Sequence, residues 1–186
     1  IWAGLAQPQL VSAIICANTV LSTRIRHKTG PSRPVPARDS VRIPKGDGMI
    51  LHASCVAHRG RGLLILGPSG AGKSGLALEM MAFGASLVAD DRTLLRAEAG
   101  RIVADSPPSI RGRIEARGVG ILRARAHGPV DLVLAVDLAQ AEPDRLPPDR
   151  QLDLGLGRLP LVLGAGRVHL ASILLQYLEG GRADTE

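Results

Sequence analysis

Eight residues in the middle of the chain, Gly67-Pro68-Ser69-Gly70-Ala71-Gly72-Lys73-Ser74, are of the types that hold a phosphate. They fit G-x-x-x-x-G-K-[ST] throughout, after an apolar run (Leu63 to Leu66) and before a helical pattern. Glycines at these places let backbone N–H groups turn inward around phosphate oxygens, and a helix N-terminus adds its partial positive charge. Lys73 has the length to reach the β- and γ-phosphates of a nucleotide, and the Ser74 hydroxyl can ligate Mg²⁺. The loop therefore predicts a bound nucleoside triphosphate. It does not say whether the phosphate goes to water, a metabolite or a protein.

That choice falls to the carboxylates that follow. Asp90-Asp91 ends the short apolar run "SLVA", and Asp137 ends the longer run "LVLAV". A hydrophobic run closed by one Asp is the pattern of a metal-anchoring residue in ordinary P-loop ATPases, which favours Asp137. Adjacent carboxylates at the C-terminal edge of a sheet suit metal binding together with proton transfer, which favours the pair. Sequence pattern alone leaves both open.

The elements that must position these groups are legible in outline. The pattern predicts a strand over 50–57, a turn at 59–62, a strand over 63–66 and, after the loop, a helix over 73–83 stopped by Gly84. A buried strand is expected over 86–91, a hairpin over 92–105 turning at 98–100, a strand over 131–138 and an amphipathic helix over 169–179. Alternating strands and helices imply an α/β fold with a partly parallel sheet. Residues 24–48 mix Pro, Gly, Ser and Arg without a period, the composition of a linker or disordered segment. The sequence thus divides into a disordered leader or upstream reading-frame sequence, 1–48, and an ordered domain, 49–186, beginning at Met49.

Composition narrows the function classes. Net charge is +6, but residues 1–48 carry all except one unit of it. The remainder has no basic stripe, and the whole chain has three aromatic residues, so nothing suits base stacking and no nucleic-acid partner is expected. No apolar run reaches the roughly 18 residues of a membrane span, so no membrane partner is expected. Two cysteines, Cys16 and Cys55, make neither a disulfide framework nor a zinc site. Together these features point to the cytoplasm.

Four segments now combine: "ILHASCV", the glycine loop, "GASLVADD" and "IRGRIEARGVGIL". At these spacings the chain resembles the HPr kinase/phosphorylase family, specifically the C-terminal domain in its short proteobacterial form. The resemblance implies a P-loop domain related to the nucleotide-binding fold of phosphoenolpyruvate carboxykinase. It implies an ATP- and Mg²⁺-dependent serine kinase of the phosphocarrier protein HPr, possessing a reverse phosphorylase activity, regulating the bacterial phosphotransferase system and assembling as hexamers. By position, His52 would be the active-site histidine and Asp90 the carboxylate that takes the serine proton. Lys73 and Ser74 keep their loop roles, Arg117 shapes the site, and Glu115, Asp91 and Ser74 would attend the metal. The chain departs from the family where a V-R-P-G-R-N run is expected: it has "LVLGAGRVHL", with Gly164 in place of an arginine and Arg167 nearest. Two rivals follow from the same residues. One is a nucleotide-binding regulatory module with little catalysis. The other is a generic P-loop ATPase or small-molecule kinase that uses Asp137.

Overall fold

The strand that feeds the glycine loop, β5 (Arg61–Leu66), lies in the middle of the sheet and is buried on both faces from Gly62 to Ile65. A run of consecutive apolar residues is what such a two-faced strand requires. In this computed structural model the described residues are 48–183 and the backbone of Val35–Pro36 and Ser40–Arg42, all within one unit, Pro31–Glu186. Cys16 and most of the expected leader lie outside the described residues.

β5 pairs antiparallel with β4 (Ser54–His58), and β4 pairs antiparallel with β6 (Ser86–Ala89). On its other edge β5 runs parallel to β11 (Val130–Asp137), and β11 runs parallel to β13 (Arg158–Leu163). Beyond β13 come β12 (Gln151–Asp153), antiparallel to it, and the backbone of β1 (Val35–Pro36). The first two residues of β11, Val130 and Asp131, pair instead with β8 (Arg101–Asp105). From there the order continues through β7 (Thr93–Glu98) and β3 (Gly48–Leu51) to β2 (Ser40–Arg42). A separate antiparallel hairpin joins β9 (Arg113–Ala116) and β10 (Gly120–Arg123). The mixed α/β architecture is as the sequence implies.

Strand alternation sorts the core. Cys55, Ala57 and Leu64 join one buried cluster, in which Leu95, Ile102 and Leu152 also sit. Val56, Leu63 and Ile65 point to the other face and pack under two helices. α1 (Lys73–Ala82) buries Lys73, Leu76, Ala77 and Met80, a single stripe at helical spacing. α2 (Leu170–Gly180) does the same with Leu170, Ala171, Leu174 and Leu178. Each fully buried leucine contributes about 1.5–3 kcal/mol relative to exposure. This apolar packing holds α1, and hence the glycine loop, against the sheet.

Three differences from the sequence reading bear on the site. The strand expected over 50–57 is two strands, because β3 pairs with β7 whereas β4 pairs with β5 and β6. His52 and Ala53 form the break between them, and the Thr93 hydroxyl donates to the Ala53 carbonyl at 2.8 Å. The segment "IRGRIEARGVGIL", for which the sequence pattern predicts no element, contains the β9–β10 hairpin. The pattern predicts neither β12 nor β13, which are short and separated by the turn at Gly155–Gly157.

Candidate active site

The glycine loop is built on left-handed backbone. Gly67 has φ 146°, and a Cβ there would stand 3.0 Å from the Ala71 Cβ and 3.2 Å from that of Leu138. Gly72 (φ 94°) is the N-cap of α1 and has no side-chain cap, so the first-turn N–H groups face the loop. Lys73 is the first helical residue and is buried. Its ammonium donates to the Gly67 carbonyl at 2.9 Å and to the Pro68 carbonyl at 3.2 Å. Burial lowers its pKa from the usual lysine value, while the charges of Asp91 and Asp90 oppose that shift.

Asp90 follows β6 and is buried beneath Lys73 and Ser74. Its Oδ1 accepts from the Ser74 hydroxyl at 2.8 Å and from the Ser54 hydroxyl at 2.7 Å. Its Oδ2 accepts from the Glu115 N–H at 3.0 Å. One carboxylate thus ties together the loop helix, β4, β6 and the β9–β10 hairpin. An ionised carboxylate offers about four acceptor positions, so three of them are in use.

Asp91 differs from its neighbour in every respect. Its φ is 64°, and the Arg92 N–H closes a tight turn onto the Asp90 carbonyl at 2.8 Å. The reversal turns the Asp91 side chain outward, 67% exposed, where Oδ1 meets His52 Nε2 at 2.9 Å. His52 reaches it from the break between β3 and β4.

These groups share one cleft of about 880 Å³. His52, Ser69, Gly70, Gly72, Lys73, Ser74, Asp90, Asp91, Glu115 and Arg117 all line it, drawn from segments up to 65 residues apart. Arg117 lies at the turn of the β9–β10 hairpin, and a Cβ on Gly70 would lie 3.8–3.9 Å from its guanidinium nitrogens, which therefore sit over the loop. Of the loop residues, Gly67 and Pro68 serve as carbonyl acceptors for Lys73, and Ala71 faces the opposite side, toward a second, smaller cavity. Among the described residues there is no cluster of three or more His, Cys, Asp or Glu that could cage a metal by itself. A Mg²⁺ that kept its waters and phosphate oxygens would need only one or two protein ligands. Ser74, whose proton goes to Asp90, keeps oxygen lone pairs for that purpose, so the residues fit such an ion.

Sequence reasoning missed Ser54, Arg92 and Arg113. Ser54 is fully buried and precedes Asp90 by 36 residues, with no local pattern to connect them. Arg92 and Arg113 line the cleft, and neither makes an ion pair within 4 Å among the described residues. Asp137 is not part of this cleft. It ends β11 beside Leu66, but its Oδ1 accepts from the Ala139 N–H at 2.8 Å and its Oδ2 from Gln140 Nε2 at 3.0 Å. Cys55 is buried in the core, where loss of solvent pushes its thiol pKa far up, so it carries no reactive thiolate.

Comparison with known proteins agrees with the resemblance seen in the sequence. Residues 47–134 match the family model described as HPr Serine kinase C-terminal domain. The HPr kinase/phosphorylase of Aromatoleum aromaticum is 32% identical over 182 residues, covering 87% of this chain and 57% of that protein. That of Clostridium botulinum (strain Eklund 17B / Type B) is 42% identical over 72 residues, 39% of this chain and 24% of the relative. The chain therefore spans only a quarter to little more than half of these relatives. The solved HPr(Ser) kinase/phosphatase of Coxiella burnetii shares the fold with a TM-score of 0.62 at 21% identity, over 73% of this chain and 92% of that one. Among the described residues no helix is long and apolar enough to cross a membrane.

Proposed function

We propose that the chain is an ATP- and Mg²⁺-dependent protein kinase that phosphorylates a serine hydroxyl of an HPr-type phosphocarrier, and so acts in regulation of the phosphotransferase system. The observation that carries this is the cleft itself: a phosphate loop, a metal-competent serine and an outward carboxylate paired with a histidine all face one space. A protein hydroxyl is a suitable acceptor because the cleft is open at Asp91 and bordered by the hairpin.

The geometry favours exchanging the roles that the family resemblance implies for the two aspartates. Asp90 is engaged by three donors and is best suited to orient Ser74 and, through it, the metal. Asp91 is exposed and has its carboxylate at the mouth of the cleft, so it is the better acceptor for the serine proton. His52 would hold Asp91 in place and share the positive charge as the proton arrives. The serine oxygen then bonds to the γ-phosphorus while the bond from that phosphorus to the β,γ-bridging oxygen breaks, releasing ADP. Lys73 would leave its carbonyl partners for the β- and γ-phosphate oxygens, and Arg117 would approach the γ-phosphate from above. Ser74 would hold a Mg²⁺, which would supply charge neutralisation to the transferring phosphate. Glu115, its backbone N–H already held by Asp90, would assist Ser74 in holding the metal. The reverse reaction, inorganic phosphate attacking phosphoserine to give pyrophosphate and serine, would use Asp91 to return the proton.

The deciding assay is incubation with ATP, Mg²⁺ and HPr, read by the mass of HPr. A gain of one phosphoryl group on serine supports the reading, and unmodified HPr with intact ATP binding would favour a regulatory nucleotide-binding module instead. One observation favours that second reading: Gly164 is buried, and a Cβ there would come within 3 Å of Val136 and Leu170 side chains, so the position of the family arginine is closed to any side chain. A cytoplasmic location and a hexameric assembly, as the resemblance implies, belong to the same proposal.

A further inference from the structure

The glycine loop has a cavity on each side. The second, of about 300 Å³, lies over the carboxyl ends of the three parallel strands β5, β11 and β13, the place where open α/β sheets bind ligands. Leu76 of α1, Leu138 after β11 and Leu170 of α2 present small apolar areas at its floor, and Glu79 and His169 join Arg167 among the residues that line it. Four glycines keep it open. Gly164 brings the backbone of the β13–α2 loop against Val136 and Leu170 with no room for a side chain. Gly72, Gly75 and Gly166 have nothing within 4 Å of where a Cβ would stand. Gly75 is the least expected of these, because it sits in the first turn of α1, where glycine carries an entropic penalty and no close contact requires it. The rim is polar. Arg167 stands there without an ion pair within 4 Å among the described residues. Its charge is felt by Glu142, yet the hydrogen bonds of that carboxylate go to Arg150.

We infer that this smaller cavity receives the nucleoside of the bound nucleotide. The base would lie on the leucine floor, and Arg167 would donate to acceptor atoms at its edge. The inference rests on the nucleotide reading proposed above and adds to it the half of the ligand that the phosphate loop does not explain. Gly72 and Gly75 line both cavities, so a triphosphate on the loop passes from one to the other with its γ-phosphate toward Asp91 and its ribose toward Gly166. A floor of aliphatic side chains with flanking glycines accepts a planar ring, and a guanidinium, which has donors only, selects an edge that presents ring nitrogens or carbonyl oxygens. Arg167 thereby acquires a role distinct from phosphate chemistry, as a specificity residue.

Calorimetry with the full chain tests this by comparing Mg²⁺-ATP with inorganic Mg²⁺-tripolyphosphate, which has the phosphates and no nucleoside. The wild type should bind ATP at least tenfold more tightly. Ala165→Phe, which fills the cavity, and Arg167→Ala, which removes the donors, should each weaken ATP about tenfold or more while leaving tripolyphosphate within about twofold. Retained tripolyphosphate binding shows that each variant is folded. Should Ala165→Phe bind neither ligand, Arg167→Ala decides. Equal wild-type affinity for the two ligands overturns the nucleoside site and leaves the phosphate loop standing, as do variants that bind ATP normally. Binding of neither ligand by the wild type overturns the nucleotide reading and this inference with it.

Discussion

Two strands of the sheet end the same way, with an apolar run closed by an aspartate. β6 gives way to Asp90, and β11 ends in Asp137 beside the strand that feeds the glycine loop. By sequence pattern either strand end could anchor a metal. In the folded chain Asp90 is buried and accepts from Ser54, Ser74 and the Glu115 N–H, whereas Asp137 accepts from Ala139 and Gln140 of its own loop. The difference lies in what surrounds each strand end. Asp90 emerges under the first turn of α1, where donors from three elements converge, and Asp137 emerges at a loop that can satisfy it locally. A carboxylate at a strand end is a structural position; the donors brought to it decide its use.

The strongest challenge to this comparison is to neutralise the carboxylates one at a time. Asp91→Asn should bind Mg²⁺-ATP within a few-fold of wild type and lose about 10²–10⁴ in HPr phosphorylation, the usual cost of removing a positioned base. Asp137→Asn should phosphorylate at the wild-type rate. The opposite outcome, an active Asp91→Asn and an inert Asp137→Asn, would transfer the chemistry to the other strand end.

Asp90→Asn should show a different signature, because its amide nitrogen would replace one acceptor oxygen and oppose either the Glu115 N–H or the two serine hydroxyls. About 1–3 kcal/mol of stability should be lost, visible as a fall in Tm of several degrees, together with weaker Mg²⁺-nucleotide binding. A variant with unchanged Tm and unchanged nucleotide affinity would mean that the three hydrogen bonds carry nothing. Ser54→Ala sharpens the same point at smaller scale. It removes one of the three donors, leaves Ser74 in place, and should cost about 1 kcal/mol in denaturant unfolding with nucleotide affinity nearly retained.

The smallest expected effect belongs to a carboxylate that does not line the cleft, Glu142. Arg150 donates two hydrogen bonds to Glu142 and holds its pKa below the usual carboxylate value, against the opposing pull of desolvation. A depressed folded pKa gives stability that is fully present above the unfolded value, about pH 4.3, and is lost as pH falls through the folded value. Glu142→Gln should therefore melt a few degrees below wild type at pH 7, and the gap should close below about pH 4. A gap that persists in acid would assign the loss to packing rather than to charge.

Much of this chemistry was legible in the residues themselves. The glycine spacing, the lysine and the serine predict a tight glycine loop ahead of a helix because backbone curvature and helix start are local events, set within eight positions. The hairpins at Arg59-Gly60 and Ala99-Gly100 were legible for the same reason, since positive φ at two successive residues makes a tight turn. The spacing of four segments also pointed to the family. What the chain could not reveal was the division of labour between Asp90 and Asp91. Adjacent in sequence, they diverge because Asp91 itself is left-handed, so that the first carboxylate stays in the core and the second turns out to His52. Nor could it reveal Ser54, whose hydroxyl reaches Asp90 only because β4 and β6 pair, or the smaller cavity, whose walls come from the ends of three strands and two helices. Local backbone preference lies within the sequence. Which donors meet which acceptors is decided by strand pairing between distant segments, and that exists only in the tertiary structure.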